Sequence, residues 1–446
     1  METLETYRRL YENYREVLRA GSAPLMDACR DQAAACWLQA GFPSTKSESY
    51  RHCDLKEDLS IDYGMNLYRL GVPAHPGDVF RCDVPTLSTQ LFFIVNDLYY
   101  PGKQPVQLPE GVLCGSLTTL MREHAGRLRP YYDQLRCQGT DAMAAMNTAF
   151  CQDGFLLFVP RGVVVDKPIQ LIQMFQGEID IMATRRLLVV LEEGASATLI
   201  VCDHAISQSR YFSNQVAEIY VGKNAGLSYY EMEMTHDRTC RVANTFIRQD
   251  EGARFVTQQS GLENGLTRNN LSLTFVGRHA SASLSGLTLV SRRQKTDNHV
   301  LVDHAVPDCQ SDQLYKYVLD DEARAVFGGR VLVRPDAQRT QASQLSAGLC
   351  NTDKVSMLAQ PQLEIYADDV KCGHGSATGQ IDENALFYMR QRGLSEEEAR
   401  MFLKYAFASQ VIDRIELEPL KDRMRMLVGK RFRGELAKCI DCKICP

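Results

Sequence analysis

The stretch RLLVVLEEGASATLIVCD, residues 186–203, decides how this chain folds: two apolar runs of strand length meet at a polar corner, Glu192-Glu193-Gly194, and the small residues Ala195-Ser196-Ala197 follow at once. The same device returns in GKNAGLSY (222–229), DEGARFVT (250–257) and GRHASASL (277–284). Ala195, Ala225, Ala253 and Ala280 thereby recur at intervals of about 30, 28 and 27 residues, and Ala337 stands about two such periods beyond Ala280. A near-constant period of that size marks a structural unit stacked on copies of itself, and it suits one coil of a β-solenoid.

Working outward, the runs LLFVPRGVVV, IQLIQMF, QVAEIYVG, LSLTFVG and RVLVRP fill the chain from about residue 154 to 375. All are rich in valine, isoleucine, leucine or phenylalanine and are bounded by glycine, asparagine or aspartate, the pattern of short strands between turns. The fold class is therefore mainly β, a parallel β-solenoid core over 151–381. A β-sandwich or a pair of barrels competes on composition but leaves the constant spacing unexplained. In a solenoid the backbone hydrogen bonds run from coil to coil, so open sheet edges fall only at the two ends, where caps or docked partners are expected.

Both flanks change period. Leu4, Tyr7, Leu10, Tyr14 and Val17 recur at helical spacing, DACRDQAAACWLQAG continues as helix, and Gly41-Phe42-Pro43 breaks it. The N-terminal region, 1–150, reads as helical and mixed, with a strand candidate at residues 91–95. In the C-terminal region, 382–446, Asp382 is placed to cap a short helix that Gly393 ends, and Ser395 with Glu398 forms a capping-box pattern. The stripe Ala399, Phe402, Leu403, Ala406 and Phe407 follows. Its ordinary purpose is packing on the chain's own core, with a partner-binding face as the alternative.

At 446 residues the chain exceeds a typical single globular core, a limit that an elongated repeat fold escapes. A net charge of −5 with 24% charged residues points neither to nucleic acid nor to an anionic membrane surface. No run of eighteen apolar residues exists and the first twenty residues are charged throughout, so a cytoplasmic protein without a membrane span is expected. Fifteen cysteines are scattered without a disulfide pattern and should be thiols in a reducing compartment. Cys29, Cys36, Cys151, Cys202 and Cys240 read as small core residues.

Two cysteine clusters stand apart. In PQLEIYADDVKCGHGSATGQID, residues 361–382, an extended backbone would project Cys372 and His374 from one face as a soft-ligand pair, with Gly373 and Gly375 leaving room for close approach. The ordinary alternative is a buried cysteine beside a hydrogen-bonded histidine. The tail KCIDCKICP spaces Cys439, Cys442 and Cys445 three apart, like the start of a ferredoxin-type run without its fourth cysteine. That makes them a candidate metal or thiol site. A further mixed cluster, Asp303-His304, Pro307, Cys309 and Ser311, reads as structural. The chain has no G-x-x-x-x-G-K-[ST] phosphate loop, no G-x-S-x-G elbow and no H-E-x-x-H zinc helix.

IYADDVKCGHGSATGQIDENALFYMRQRGLSEEEA (365–399), with DNHVLVDHAVPDCQSDQLYKYVLDDEARAVFGGRVLV (297–333) and PSTKSESYRHCDL (43–55), resembles the SufB/SufD family of iron-sulfur cluster assembly proteins, on its SufD side. SufB-like chains carry an H-E-A-T type segment where this one has Cys372-Gly373-His374-Gly375. The resemblance, over about residues 150–420, implies a right-handed parallel β-helix between helical regions, and a non-catalytic scaffold subunit. It implies a SufB-like partner and a SufC-like ABC ATPase docked on the C-terminal helices through Phe387, Phe402, Leu403 and Phe407. It also implies a homodimer as the candidate state of the isolated chain. His374 matches the family histidine at the SufB interface implicated in building the nascent cluster, and Cys372 matches the motif cysteine. No tightly bound cofactor is expected in the isolated chain, with iron or an iron-sulfur cluster passing transiently at that interface. The Cys439, Cys442 and Cys445 tail departs from the family pattern. Two other classes compete: an adaptor that never touches iron, and a β-helix enzyme acting on carbohydrate.

Overall fold

In the computed structural model, which describes residues 2–72, 75–79, 88–104, 106–139 and 141–435, six successive coils turn on the same backbone device. Gly194, Asn224, Gly252, His279, Asp308 and Arg339 all have φ between 54° and 69°. The next residue points into the core: Ala195, Ala225, Ala253, Ala280, Cys309 and Thr340 are each at most 1% exposed. A left-handed residue reverses the chain sharply, and the small residue behind it fits the corner without pushing the coils apart. One coil grips the next there. Gly226 N donates to Ala195 O at 2.9 Å, Arg254 N to Ala225 O at 2.8 Å, Ser281 N to Ala253 O at 2.9 Å and Gln310 N to Ala280 O at 3.0 Å.

This corrects the reading of the repeat after Ala280. Gln341 N donates to Cys309 O at 3.0 Å, so Cys309 and Thr340 hold the corner positions in those coils. Ala337 is buried in the same turn, three residues earlier. The turn holds extra residues, and so the alanine falls out of register.

The result is a parallel β-solenoid of about 8 turns. Its first sheet has the order β2 (Leu98–Tyr100), β1 (Gln90–Val95), β5 (Ile169–Phe175), β7 (Ser196–Ala205), β9 (Gly226–Met234), β11 (Arg254–Glu263), β13 (Ser281–Val290), β15 (Gln310–Leu319), β17 (Thr340–Cys350) and β19 (Val370–Gly379). The second has the order β3 (Leu113–Ser116), β4 (Phe155–Val159), β6 (Ile181–Leu191), β8 (Tyr211–Val221), β10 (Thr239–Gln249), β12 (Leu266–Phe275), β14 (Lys295–His304), β16 (Arg324–Val333) and β18 (Ser356–Ile365). From β4 onward successive strands alternate between the sheets, so each coil contributes one strand to each. Among the described strands only the β1–β2 and β3–β4 pairs, at the start of the stack, are antiparallel.

Alternate residues of both sheets face a common lumen. Its apolar part includes Leu199, Leu227, Phe255, Leu273, Leu284 and Val302. A polar thread runs beside it. Arg185 Nη1 lies 3.1 Å from Asp203 Oδ1, and Arg241 lies 3.0 Å from Asp203 and 3.3 Å from Glu231. Arg241 also donates to Asn269, Asn269 to Asn298 at 2.8 Å, and Asn298 to the Tyr317 hydroxyl at 2.9 Å. Buried charges survive only with such partners.

The helical regions lie along the outer sheet faces rather than over both ends of the stack. The N-terminal helices α1 (Glu2–Ala20) and α2 (Pro24–Ala40), the short helices α3 (Lys56–Leu59), α4 (Pro76–Val79), α5 (Leu117–Glu123) and α6 (Ala125–Leu128), and α7 (Ala142–Phe150) precede or interrupt the first coils. Tyr7, Tyr11, Trp37 and Phe150 pack against Phe212 and Val242 of the second sheet. The C-terminal helices are α8 (Glu383–Gln391), α9 (Glu396–Ile412) and α10 (Glu418–Phe432). Val411, Ile412, Met424 and Val428 cover Met232, Leu289, Leu314 and Val318 on the first sheet. The outer faces are apolar where the helices lie, and apolar area drives burial more strongly than an unpaired edge does. Among the cysteines read as core residues, Cys151, Cys202 and Cys240 are buried, whereas Cys29 is half-buried and Cys36 exposed.

One lumen carboxyl sets a pH dependence. Glu233 accepts the Thr267 hydroxyl at both oxygens, at 2.7 and 2.9 Å, and burial pushes its pKa up to about 7. The folded chain thus holds a proton that the unfolded chain releases in the ordinary carboxyl range. Stability therefore falls as pH rises from that range to about 7, by up to about 3 kcal/mol from this group. Urea unfolding of Glu233→Gln at pH 5 and pH 7.5 should show a smaller loss between the two pH values than the wild type shows.

Candidate functional site: the open terminal coil

The solenoid is closed where it begins and open where it ends. β19 and β18 are the last strands of their sheets, each paired on one side only, with β17 and β16. β19 is exposed at most positions, and its free edge presents unpaired backbone donors and acceptors. Beyond it Asp382 caps α8 by accepting Asn384 N at 2.9 Å, and Gly393, with φ of 93°, leads to the capping box of Ser395 and Glu398 at the start of α9. The cap signals in the sequence thus turn the chain away from the open edge and onto the first sheet.

Cys372 and His374 sit in β19, and the register fixes the face they occupy. Cys372 lies opposite Ala342 of β17, and His374 opposite Gln344. One coil further in, Ala342 lies opposite Ser311, and Gln344 opposite Gln313. A coil deeper stand Ala282 and Leu284, both in the lumen core. Cys372 and His374 are therefore the last members of two inward-facing columns, and the lumen opens at them. The His374 column grades from apolar to polar, Leu284, Gln313, Gln344, His374, with Gln344 Nε2 donating to Gln313 Oε1 at 3.0 Å. Gln313 and Gln344 are both at most 2% exposed, whereas His374 is exposed because no further coil covers it.

The two residues differ chemically. Cys372 is half-buried against the cluster of Val331, Val333, Ala337 and Ala342, and burial pushes its thiol pKa up. It is thus a poor thiolate in this state. His374 carries an imidazole at the mouth of the lumen, suited to a metal ion presented from outside. A Cβ on Gly373 would meet nothing within 4 Å, so that glycine relieves no internal clash and leaves the backbone bare to an approaching partner. Among the described residues no three His, Cys, Asp or Glu side chains are grouped to hold a metal ion. Cys439, Cys442 and Cys445 lie outside the described residues.

The four aromatic and aliphatic residues of the C-terminal helices divide. Phe387 is 64% and Phe402 47% exposed, and Tyr388 beside them is 59% exposed. Leu403 instead packs with Leu349, Ile381, Leu386 and Ala399. Phe407 is turned inward too, its ring 4.1 Å from the Lys316 ammonium, which donates to the Phe407 carbonyl at 3.1 Å. Sequence reasoning did not single out Gln313 and Gln344, the polar floor beneath His374. Their only trace is a glutamine at the same strand position in successive repeats. The mixed cluster upstream is structural: His304 Nε2 lies 2.9 Å from Ser311 Oγ, and the Cys309 thiol donates to Gly277 O at 3.3 Å.

A two-sheet parallel solenoid with one closed end, one open end and a Cys/His pair at the open lumen defines the class. Family models then cover nearly the whole chain: the SufBD protein N-terminal region matches residues 1–171, and the SUF system FeS cluster assembly SufBD core domain matches residues 174–407. The chain belongs to the SufB/SufD family of iron-sulfur cluster assembly proteins. It is 30% identical over 425 residues to an iron-sulfur cluster assembly SufBD family protein of Synechocystis sp., spanning 93% of this chain and 90% of that protein. It is 27% identical over 419 residues to the chloroplastic protein ABCI7 of Arabidopsis thaliana, across 91% of this chain and 86% of the relative. To the iron-sulfur cluster assembly protein SufD of Escherichia coli it is 30% identical over 280 residues, 62% of this chain and 66% of that one.

The terminal coil carries little of the packing, so His374→Ala should change folding stability by less than about 0.5 kcal/mol, read from thermal and urea unfolding. In the same protein Cys372 should react with iodoacetamide at neutral pH more slowly than the exposed Cys36, as followed by peptide mass spectrometry.

Proposed function

We propose that this chain is a SufD-type scaffold subunit of a cytoplasmic SUF assembly complex, and that its open terminal coil receives a SufB-like partner. One observation carries the reading: His374 ends a lumen column at the uncovered end of the solenoid. Strand addition to the free edge of β19 would supply backbone hydrogen bonds. It would also bring the partner's side chains to the mouth where His374 and Cys372 stand. Iron or a nascent iron-sulfur cluster is there as cargo, held between two chains. Among the described residues two of ligand type meet on this side, which agrees with a shared site, since a tetrahedral iron centre takes four ligands. His374 is the ligand or positioning group, and Cys372, with its raised pKa, is secondary until a partner or metal draws off its proton.

The exposed patch of Phe387, Tyr388 and Phe402 is the proposed docking surface for a SufC-like ABC ATPase. Nucleotide hydrolysis is assigned to that partner, because this chain has no phosphate loop. A homodimer joined through the same free edge is the proposed state of the chain without SufB. No described helix is long and apolar enough to cross a membrane.

Co-expression with SufB-like and SufC-like partners tests both assignments. His374→Ala should co-purify with both partners yet carry at least about tenfold less iron and sulfide than wild type after anaerobic isolation. Full iron loading of the variant would leave the chain as an adaptor that does not touch iron. Phe387→Asp with Phe402→Asp should abolish ATPase-subunit binding while SufB binding persists, and retained ATPase binding would refute that docking surface. These substitutions are preferable to deleting residues 382–446, because α9 and α10 cover apolar parts of the first sheet.

A further inference from the structure

A wide concavity lies on the corner where the second sheet begins its strands. It is an open groove of about 1120 Å³ between the α3 segment, represented by Glu57, Asp58, Ile61 and Tyr63, and the turns before β10, β12, β14 and β16. Its floor is apolar at Ile61, Tyr63 and Leu266, and its walls mix both signs, with Asp58, Asp237, Arg238, Arg292 and Lys295 among the lining and Arg292 lying 3.1 Å from Asp237. Burial raises the pKa of Asp58 against the opposing pull of Lys295, so its carboxyl looks into a partly desolvated space. Neither the SufB-facing edge nor the aromatic patch on α8 and α9 uses this groove.

The C-terminal helix ends at its rim. Arg431, in the last turn of α10, donates to Ser291 Oγ at 2.8 Å and lies 3.1 Å from Glu263. Glu263 also accepts Gln294 Nε2 at 2.8 Å and pairs with Arg292, and both Gln294 and Arg292 line the groove. The helix α10 therefore points the following sequence, residues 436–446 (LAKCIDCKICP), toward the groove. Eleven residues reach about 16 Å as helix and up to about 39 Å extended, enough to enter the groove in either form. Leu436, Ile440 and Ile444, four apart in the sequence, offer apolar side chains to the apolar floor. Lys438, Asp441 and Lys443 mix both signs as the walls do.

We propose that this groove is the docking site of the chain's own C-terminal segment, residues 436–446. Docking holds Cys439, Cys442 and Cys445 against the solenoid corner, with the Lys295 and Arg238 cations nearby to favour thiolate. The tail is then a tethered thiol array with a fixed parking place, separate from the shared site at His374.

The test uses the full-length reduced chain and a variant altered only in the tail, Leu436→Asp with Ile440→Asp and Ile444→Asp, which leaves the solenoid untouched. Amide hydrogen exchange over residues 57–63 and 292–295 should be at least about tenfold slower in wild type than in the variant. Alkylation of Cys439 by iodoacetamide should be slowed in wild type by a similar factor, with exposed Cys36 as the internal reference. Equal exchange in the two proteins, or wild-type Cys439 reacting as fast as Cys36, overturns the proposal. So does groove protection that vanishes on dilution, which would make the occupant a second copy of the chain.

Discussion

Everything in this structure follows from the rule that each coil satisfies its backbone hydrogen bonds on the coils beside it. A parallel strand has no hairpin partner, so its donors and acceptors need a neighbour one full turn away in sequence. The corner device makes that neighbour arrive at the right height. A left-handed residue and a small buried one set the coil length, and the corner carbonyl receives the amide of the next coil, from Ala195 through Cys309. The same rule forces a beginning and an end. Antiparallel β2 and β3 finish the first, and no strand among the described residues finishes the second.

The proposed function rests on that unfinished end. An edge strand is a hazard for a monomer and an opportunity for a subunit. Here the edge strand is rich in small residues, bare at Gly373, and carries His374 at the mouth of a lumen whose last inner rungs are glutamines. The polar thread from Arg185 to Tyr317 shows that this lumen tolerates charge and hydrogen-bonding groups well inside the stack. His374 is thus continuous with a polar interior, and its environment changes from solvent to buried when another surface covers it.

Much of this was legible in the residues. The alanine corners announced the period, the strand runs announced the class, and Asp382, Gly393 and Ser395 announced where helix resumes. Three readings needed the fold. Cys309 and Thr340 take the corner position because the requirement there is smallness behind a left-handed residue, which a search for alanine does not capture. Leu403 and Phe407 share a stripe with Phe402, yet the helix rotates them onto the chain's own core. Cys36 looked like core in its alanine-rich setting and is exposed, because α2 buries its other face through Trp37 and Ala33.

By itself the sequence determined a repeating parallel solenoid, helices at both flanks and a Cys-x-His pair late in the repeat, since these depend on local period and residue type. Only the tertiary structure decided that the pair ends two lumen columns at an open edge, that the helices cover faces and leave that edge bare, and that the last helix stops beside a charged groove. Which surfaces remain uncovered depends on how residues a full coil or more apart come together. Spacing along the chain carries no record of that.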